Sequence, residues 1–434
     1  MHRLVSNLII YGNISEDSIL HRLAGIFKRL ETGASDTEEL AGEVRHEIHR
    51  LLGLATDYAF DEDLWRDYIA YLLAMTENPF TLACEKTGAV DGSVNVFADS
   101  DMAVFRQLLD FDFSVIEKKL GLNCFSVIRD YKAVPKSDAA CDRNASRRIR
   151  ELSRELKDTK GVDDLKDVLM AFYRHYGVGS FGMNKAFRIA ARDGRVKIIP
   201  ITAAGDATFA DITGYEAQKE RLRKNTESFL SGRPANNVLL YGDAGTGKST
   251  CIKALLNEYY DRGLRIIEVY KHDFPYLPDI ISEIKGRNYR FIIYMDDLSF
   301  EGFETEYKYL KAVIEGDLEV RPENVLIYAT SNRRHLIRES FSDRSDREGD
   351  LHPNETMAEM MSLYDRFGVT IAFFKPEREV YYRIVQALAK KRLGADQDTD
   401  DLLKKADVWA LRHGGMSGRT ARQFVDHMAG ISNE

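Results

Sequence analysis

The stretch NVLLYGDAGTGKSTCIKALLNEYY, residues 237–260, decides the fold. Its first five residues are an apolar, β-prone run, its last eleven have helical periodicity, and between them GDAGTGKS, Gly242 to Ser249, satisfies GxxxxGK[ST]. The strand before and the helix after are the context this phosphate-binding loop requires. Gly242, Gly245 and Gly247 let successive backbone N–H groups converge at a helix N-terminus, where a polyphosphate is held by fixed dipoles. The motif reads Gly242, Asp243, Ala244, Gly245, Thr246, Gly247, Lys248 and Ser249, with Thr250 next along, as the cradle of a nucleotide's triphosphate. Lys248 would reach the β- and γ-phosphates, and the Ser249 hydroxyl would ligate Mg²⁺.

Working outward, FIIYMDD (291–297) is a buried-type strand ending in two acids, the form of a Walker B element. Asp296 is expected at the metal. Asp297 stands where a carboxylate could polarise an attacking water, although aspartate is one methylene shorter than glutamate, so turnover is expected to be slow. Glu301 is a substitute base if the segment turns helical, and otherwise a solvated acid. A third strand, VLIYAT (325–330), delivers Ser331 and Asn332 to the carboxyl edge of the sheet, where parallel sheets bind ligands. Asn332 is expected to orient water or touch the γ-phosphate.

Apolar β-prone runs at 238–241, 265–269, 291–295, 325–329 and 369–374 alternate with helical segments, which predicts a parallel sheet flanked by helices. After Pro376 three helical stretches remain, 377–391, 400–412 and 417–428, and these predict a small helical lid. Upstream, Ile19, Leu20, Leu23, Ile26, Phe27 and Leu30 recur at helical spacing between a Ser15 cap and Gly33, and similar periods run to about residue 180. Around Phe187 to Pro200 the alternation and an Asp193-Gly194 turn predict a β-hairpin. The small-residue run TAAGDATFAD (202–211) reads as a linker. The expected organisation is therefore 1–205, mostly helical with the hairpin; 206–375, an α/β nucleotide-binding core; and 376–434, a helical lid.

The order of these signals resembles the AAA+ superfamily of P-loop ATPases over about residues 206 to 434. More narrowly, DITGYEAQKERL, YGDAGTGKST, DDLSFE, YATSNRRHL and SLYDRFG resemble a bacterial family of AAA+ ATPases whose biological role is unassigned. The resemblance implies a five-stranded parallel sheet with a helical lid, adenine near Ile212 and Gly214, and nucleotide sandwiched between subunits of a homo-oligomer. It also implies that Arg366 in SLYDRFG is an arginine finger reaching a neighbour's γ-phosphate, with Arg344 and Arg347 as weaker candidates. The alternative is that Arg366 pairs with Asp365 or another local acid on its own surface. In GGMSGRTARQF (414–424), Arg419 matches a sensor 2 arginine and is preferred over Arg422; both also read as residues of a solvated helix face.

Phe274 and Tyr276 fall near the place of a pore aromatic in substrate-threading relatives, but the aromatic-apolar-glycine pattern is missing and core packing is the better reading. Cys251 reads as a small buried residue behind the loop.

Composition narrows the function. With 434 residues, 44% hydrophobic, 30% charged and nine prolines, the chain is a helix-rich globular protein rather than a disordered or collagen-like one. Its 61 basic against 69 acidic side chains leave a net charge of −8, so DNA contact needs a local patch such as ERLRKN or SNRRH. The four cysteines, Cys84, Cys124, Cys141 and Cys251, form no CxxC pair, which argues against a zinc site or a disulfide framework. LVSNLII near the start is too short and polar for a secretory segment, and no run approaches twenty apolar residues, so a cytoplasmic setting without a membrane partner is expected. The leading expectation is an ATP hydrolase whose Mg²⁺-ATP cycle acts on a protein client. The alternatives are a slow-turnover ATP-gated switch and a P-loop phosphotransferase.

Overall fold

The computed structural model describes residues 1–33, 35–88, 92–133, 143–192, 195–300, 306–315, 322–332, 363–394 and 399–431. They divide into two compact units, Met1–Asn184 and Lys185–Glu434. The Asp193-Gly194 turn, Cys141, Glu301, Arg344 and Arg347 lie outside the described residues.

The first unit is helical. Ile19–Thr32 turns Leu20, Leu23, Ile26 and Phe27 inward and stops at Gly33, whose φ of 65° lies in the left-handed region. Its N-cap is Ser18, which accepts from the His21 N–H, rather than the expected Ser15. Ser15 instead accepts from the N–H of Asp17, so the turn begins before the helix does. Thr37–Asp57 follows behind an Asp36 cap, and Leu64–Met75 behind Asp63. Trp65, fully buried on that third helix, donates to the Leu108 carbonyl at 2.7 Å. The buried hydroxyls of Tyr11 and Tyr173 meet at 2.7 Å, joining segments 162 residues apart. No helix among the described residues is long and apolar enough to cross a membrane.

The second unit is α/β. Its strands are β1 (Ala186–Arg192), β2 (Arg195–Pro200), β3 (Val238–Gly242), β4 (Leu264–Glu268), β5 (Arg290–Met295), β6 (Val325–Ser331) and β7 (Val369–Phe373). They form one sheet in the order β2-β1-β4-β5-β6-β3-β7. The five runs read from the sequence are the parallel strands β3 to β7. The sheet nevertheless has seven strands rather than five. The hairpin's β1 pairs antiparallel with β2 and parallel with β4, Phe187 opposite Ile267, so the hairpin extends the sheet instead of ending the helical region. The expected linker is also tied down: Asn257 donates to the carbonyls of Gly205 and Ala207, both at 2.9 Å.

Strands buried on both faces read as continuous apolar runs, as in FIIYM and VLIYA. Helices Glu216–Leu230 and Lys248–Tyr259 pack on the sheet. The lid, Arg378–Arg392, Thr399–Arg412 and Gly418–Ile431, has its own core of Tyr381, Val385, Ala406, Ala421 and Phe424. In this order β3 lies between β6 and β7, so the loop leaving β3 opens beside the end of β6, with the end of β5 one strand further.

Candidate functional site

The loop owes its path to glycines. Gly242 has φ 127°, and a Cβ there would stand 2.1 Å from the Phe373 carbonyl oxygen of β7. Gly245 has φ 78°, and its Cβ would lie 2.9 Å from that of Arg419. The main chain therefore passes close to both β7 and the lid, and the Arg419 N–H donates to the Gly245 carbonyl at 3.1 Å.

Lys248 opens the following helix and is only 6% exposed. Its ammonium donates to the carbonyls of Gly242 at 2.9 Å and Asp243 at 2.7 Å, and to Asn332 Oδ1 at 3.0 Å. Burial pushes its pKa below the ordinary value, against the pull of Asp297, Asp243 and Asp296. Asp243 has a role the sequence did not reveal: its carboxylate accepts from the Lys375 N–H at 2.7 Å, fastening the loop to the segment that enters the lid. Lys375 Nζ continues to the Gly414 carbonyl at 2.8 Å.

The ends of β5 and β6 bring the acids to the same place. Ser249 Oγ donates to Asp296 Oδ1 at 2.7 Å, and Tyr294 and Thr330 donate to the same oxygen at 2.6 and 2.5 Å. Burial pushes the Asp296 pKa up, but the hydrogen bonds from Thr330, Tyr294 and Ser249 outweigh it and hold the carboxyl below its ordinary value. Asp297 takes a left-handed φ of 51°, its N–H donates to Thr330 Oγ1 at 2.9 Å, and its Oδ1 accepts from Asn332 Nδ2 at 2.6 Å. Asn332 thus bridges Lys248 and Asp297. Ser249 and Asp296 form an all-oxygen pair of the kind that suits Mg²⁺.

These groups face a cavity of about 400 Å³ between core and lid. Ile212, Thr213 and Tyr215 line it from the start of the module, Ile384 and Leu388 from the lid, and Arg419 and Arg422 both reach it. Lys219, not anticipated, donates to the Ile212 carbonyl at 2.7 Å and fixes that entrance segment. An adjoining chamber of about 340 Å³ is lined by Asp211 and Lys391 among others. Their ion pair at 2.7 Å spans core and lid, and hydrogen bonds from Lys391 and Thr208 hold the Asp211 carboxyl at about 2.

Arg366 is half-buried just before β7 and does not line the cavity. Phe274 is fully buried and packs near Phe300, with ring centres 6.4 Å apart, as core packing requires; Tyr276 is half-buried. Cys251 is fully buried. Gly214, at φ 81°, approaches the lid: a Cβ there would lie 2.8 Å from Val380 Cγ1.

A replication factor C large subunit of Staphylothermus marinus is 39% identical over 72 residues, 16% of either chain. A 26S proteasome regulatory subunit 4 homolog of Saccharomyces cerevisiae is 28% identical over 124 residues, 25% of this chain and 28% of that one. The chain thus spans less than a third of the length of these curated relatives. A Thermotoga maritima RuvB variant aligns structurally over 53% of this chain and 67% of its own, with a TM-score of 0.36 and 14% identity. The family described as proteins of unknown function (DUF815) matches residues 183–432, more than half of the chain. The chain therefore belongs to the DUF815 family, and the region it shares with that family is an AAA+ P-loop module.

Proposed function

We propose that the Lys185–Glu434 unit binds ATP with Mg²⁺ and hydrolyses it, and that the cycle moves the lid against the core to act on a protein client. The observation that carries this reading is the meeting of Lys248, Ser249, Asp296, Asp297 and Asn332 at one end of the sheet, opposite Arg419 and Arg422 of the lid. Ser249 and Asp296 would hold Mg²⁺, which neutralises charge on the β- and γ-oxygens. Lys248 exchanges its carbonyl partners and Asn332 for phosphate oxygens. Asp297, oriented by the Asn332 amide, takes the proton of the attacking water. Arg419, anchored by its own N–H to the loop, senses the terminal phosphate from the lid. Arg366, absent from its own cavity, acts on the nucleotide of a neighbouring copy in a homo-oligomer. A cytoplasmic setting belongs to this reading; DNA is not required by it.

A second reading, an ATP-gated switch with little turnover, is favoured by one observation. The Asp297 carboxylate is short, sits on left-handed backbone and is already engaged by Asn332 at 2.6 Å.

Calorimetry with ATP analogues and steady-state phosphate release test both. Lys248→Ala is expected to lose nucleotide binding, Asp297→Asn to bind without turnover, and Arg366→Ala to lose turnover only in the assembled state. Equal turnover in all three variants and the wild type refutes hydrolysis at this site; wild-type binding with phosphate release at background level selects the switch.

A further inference from the structure

The Met1–Asn184 unit carries an open groove of about 850 Å³, bordered by the last turns of helices Thr37–Asp57 and Leu64–Met75 and by the start of Ile19–Thr32. Its lining is largely apolar: Ile14, Ile19 and Leu72 are buried there, and Leu54, Tyr71 and Met75 are half-buried. The charge around it is negative. Asp17, Asp57 and Glu77 line it, against Arg50 as the cation among the described lining residues. Arg50 is already engaged, donating to Glu47 at 2.8 Å and to Asp17 at 3.3 Å. Burial raises the Tyr71 pKa, the Tyr58 hydrogen bond opposes it and the Asp57 charge adds to it, so that acid stands close to the groove's tyrosine. Two helices end here, where their last carbonyls carry partial negative charge, and neither has a basic residue in its final turn. The helix that starts here spends its N–H groups internally: Leu20 donates to the Tyr68 hydroxyl at 3.0 Å and His21 to Ser18 Oγ at 3.2 Å.

We propose that this groove docks a segment of a protein partner that carries an apolar, leucine-type stripe flanked by lysine or arginine. The apolar lining buries the stripe, and the acids and helix ends around it attract the flanking cations. The same groups repel an acidic segment, and they repel the phosphate backbone of a nucleic acid. The inference gives the protein client of the reading above its chemistry, but it needs no nucleotide, so the two fail separately. Gly53 supplies the test. It lines the groove on Thr37–Asp57, and a Cβ there would meet nothing within 4 Å. Gly42 is exposed on the same helix with equally open surroundings, and it does not line the groove. Gly53→Arg and Gly42→Arg both favour the helix and add the same charge, but only the former puts a long side chain into the groove.

The probe is a fluorescein-labelled peptide of about 14 residues, with leucine at i, i+3, i+4 spacing and lysine between, titrated with the full chain and followed by anisotropy. One companion peptide has glutamate for lysine, and another has serine for leucine. The first peptide is expected to bind saturably, and both companions about tenfold or more weakly. Gly53→Arg should weaken the lysine peptide by about tenfold or more, while Gly42→Arg stays within about twofold of wild type. Asp57→Asn, which removes one exposed charge, should cost about two- to fivefold. Equal losses in Gly53→Arg and Gly42→Arg overturn the inference, because the peptide then senses net charge and not the groove. No saturable binding, or a companion that binds as well as the lysine peptide, overturns it too. A change of oligomeric state in Gly53→Arg, read by sedimentation, overturns it in favour of a second copy of the chain. ATP binding that survives any of these results leaves the nucleotide reading standing.

Discussion

Substituting Gly242 tests how the loop is held against the sheet. In Gly242→Ala the new Cβ would stand 2.1 Å from the Phe373 carbonyl oxygen, on a backbone whose φ is 127°. Forcing an L-residue there costs about 1–3 kcal/mol, and relieving the overlap about 1–3 kcal/mol more. The struck oxygen also accepts the Asp243 N–H at 2.8 Å, so moving β7 away loosens a hydrogen bond as well. That bond contributes about 1 kcal/mol. Gly247→Ala is the control: φ there is 98°, but the nearest atom to its Cβ is Ile212 Cγ2 at 3.7 Å, an ordinary contact. Only the strain, about 1–3 kcal/mol, applies. At roughly 2–4 °C per kcal/mol for a unit of this size, Gly242→Ala should lower the melting temperature by about 10–20 °C and Gly247→Ala by about 5 °C. Scanning calorimetry without nucleotide separates the two. Equal shifts, or a Gly242→Ala variant within about 2 °C of wild type, would refute the argument that β7 sets the loop's path.

Three further outcomes are expected. Burial pushes Asp67 up to about 6, against the hydrogen bond from Ser153. A carboxyl with a raised folded-state pKa favours the fold while protonated, so its contribution is full below about pH 4 and lost as pH rises through 6. Thermal melts of wild type should therefore fall relative to Asp67→Asn between pH 4 and 7, by of the order of 2 kcal/mol, and parallel curves would count against it. Asp211 has the opposite sign: held at about 2, its link to Lys391 is intact above about pH 4 and lost as pH falls toward 2. Proteolysis of the lid should accelerate over that acid window in wild type, whereas Asp211→Asn should be cut at the same rate throughout. Cys251, pushed up to about 12 by burial, should alkylate at pH 8 about 10³-fold more slowly in the native chain than in urea, as read by mass spectrometry; comparable labelling would show the helix behind the loop to be open.

The core strands were legible because a strand buried on both faces leaves a continuous apolar run. Runs read at 238–241, 291–295 and 325–329 match β3, β5 and β6 to within two residues at either end. The P-loop was legible because its chemistry constrains residue types at fixed spacing. Pairing partners were less so. Alternation around Phe187 marks a hairpin but carries nothing about β4, 80 residues away, and the seven-stranded sheet depends on that pairing. Tyr294 was hidden for a related reason: within FIIYM it reads as one more apolar strand residue, and only the fold directs its hydroxyl to Asp296. Asp243, Lys219 and Lys375 act through main-chain partners that leave no mark on local composition. Ser18 displaced Ser15 as the cap because several hydroxyls and acids crowd that helix start, and geometry alone selects among them.

The double attachment of the loop limits what the lid can do. One tether runs from the Asp243 carboxylate to the Lys375 N–H, the other from the Gly245 carbonyl to the Arg419 N–H, two residues apart on a single turn of chain. With the Lys391–Asp211 ion pair the lid is held to the core at three places, and the two on the loop leave one short turn of chain, so displacing that turn would strain both of its bonds to the lid at once.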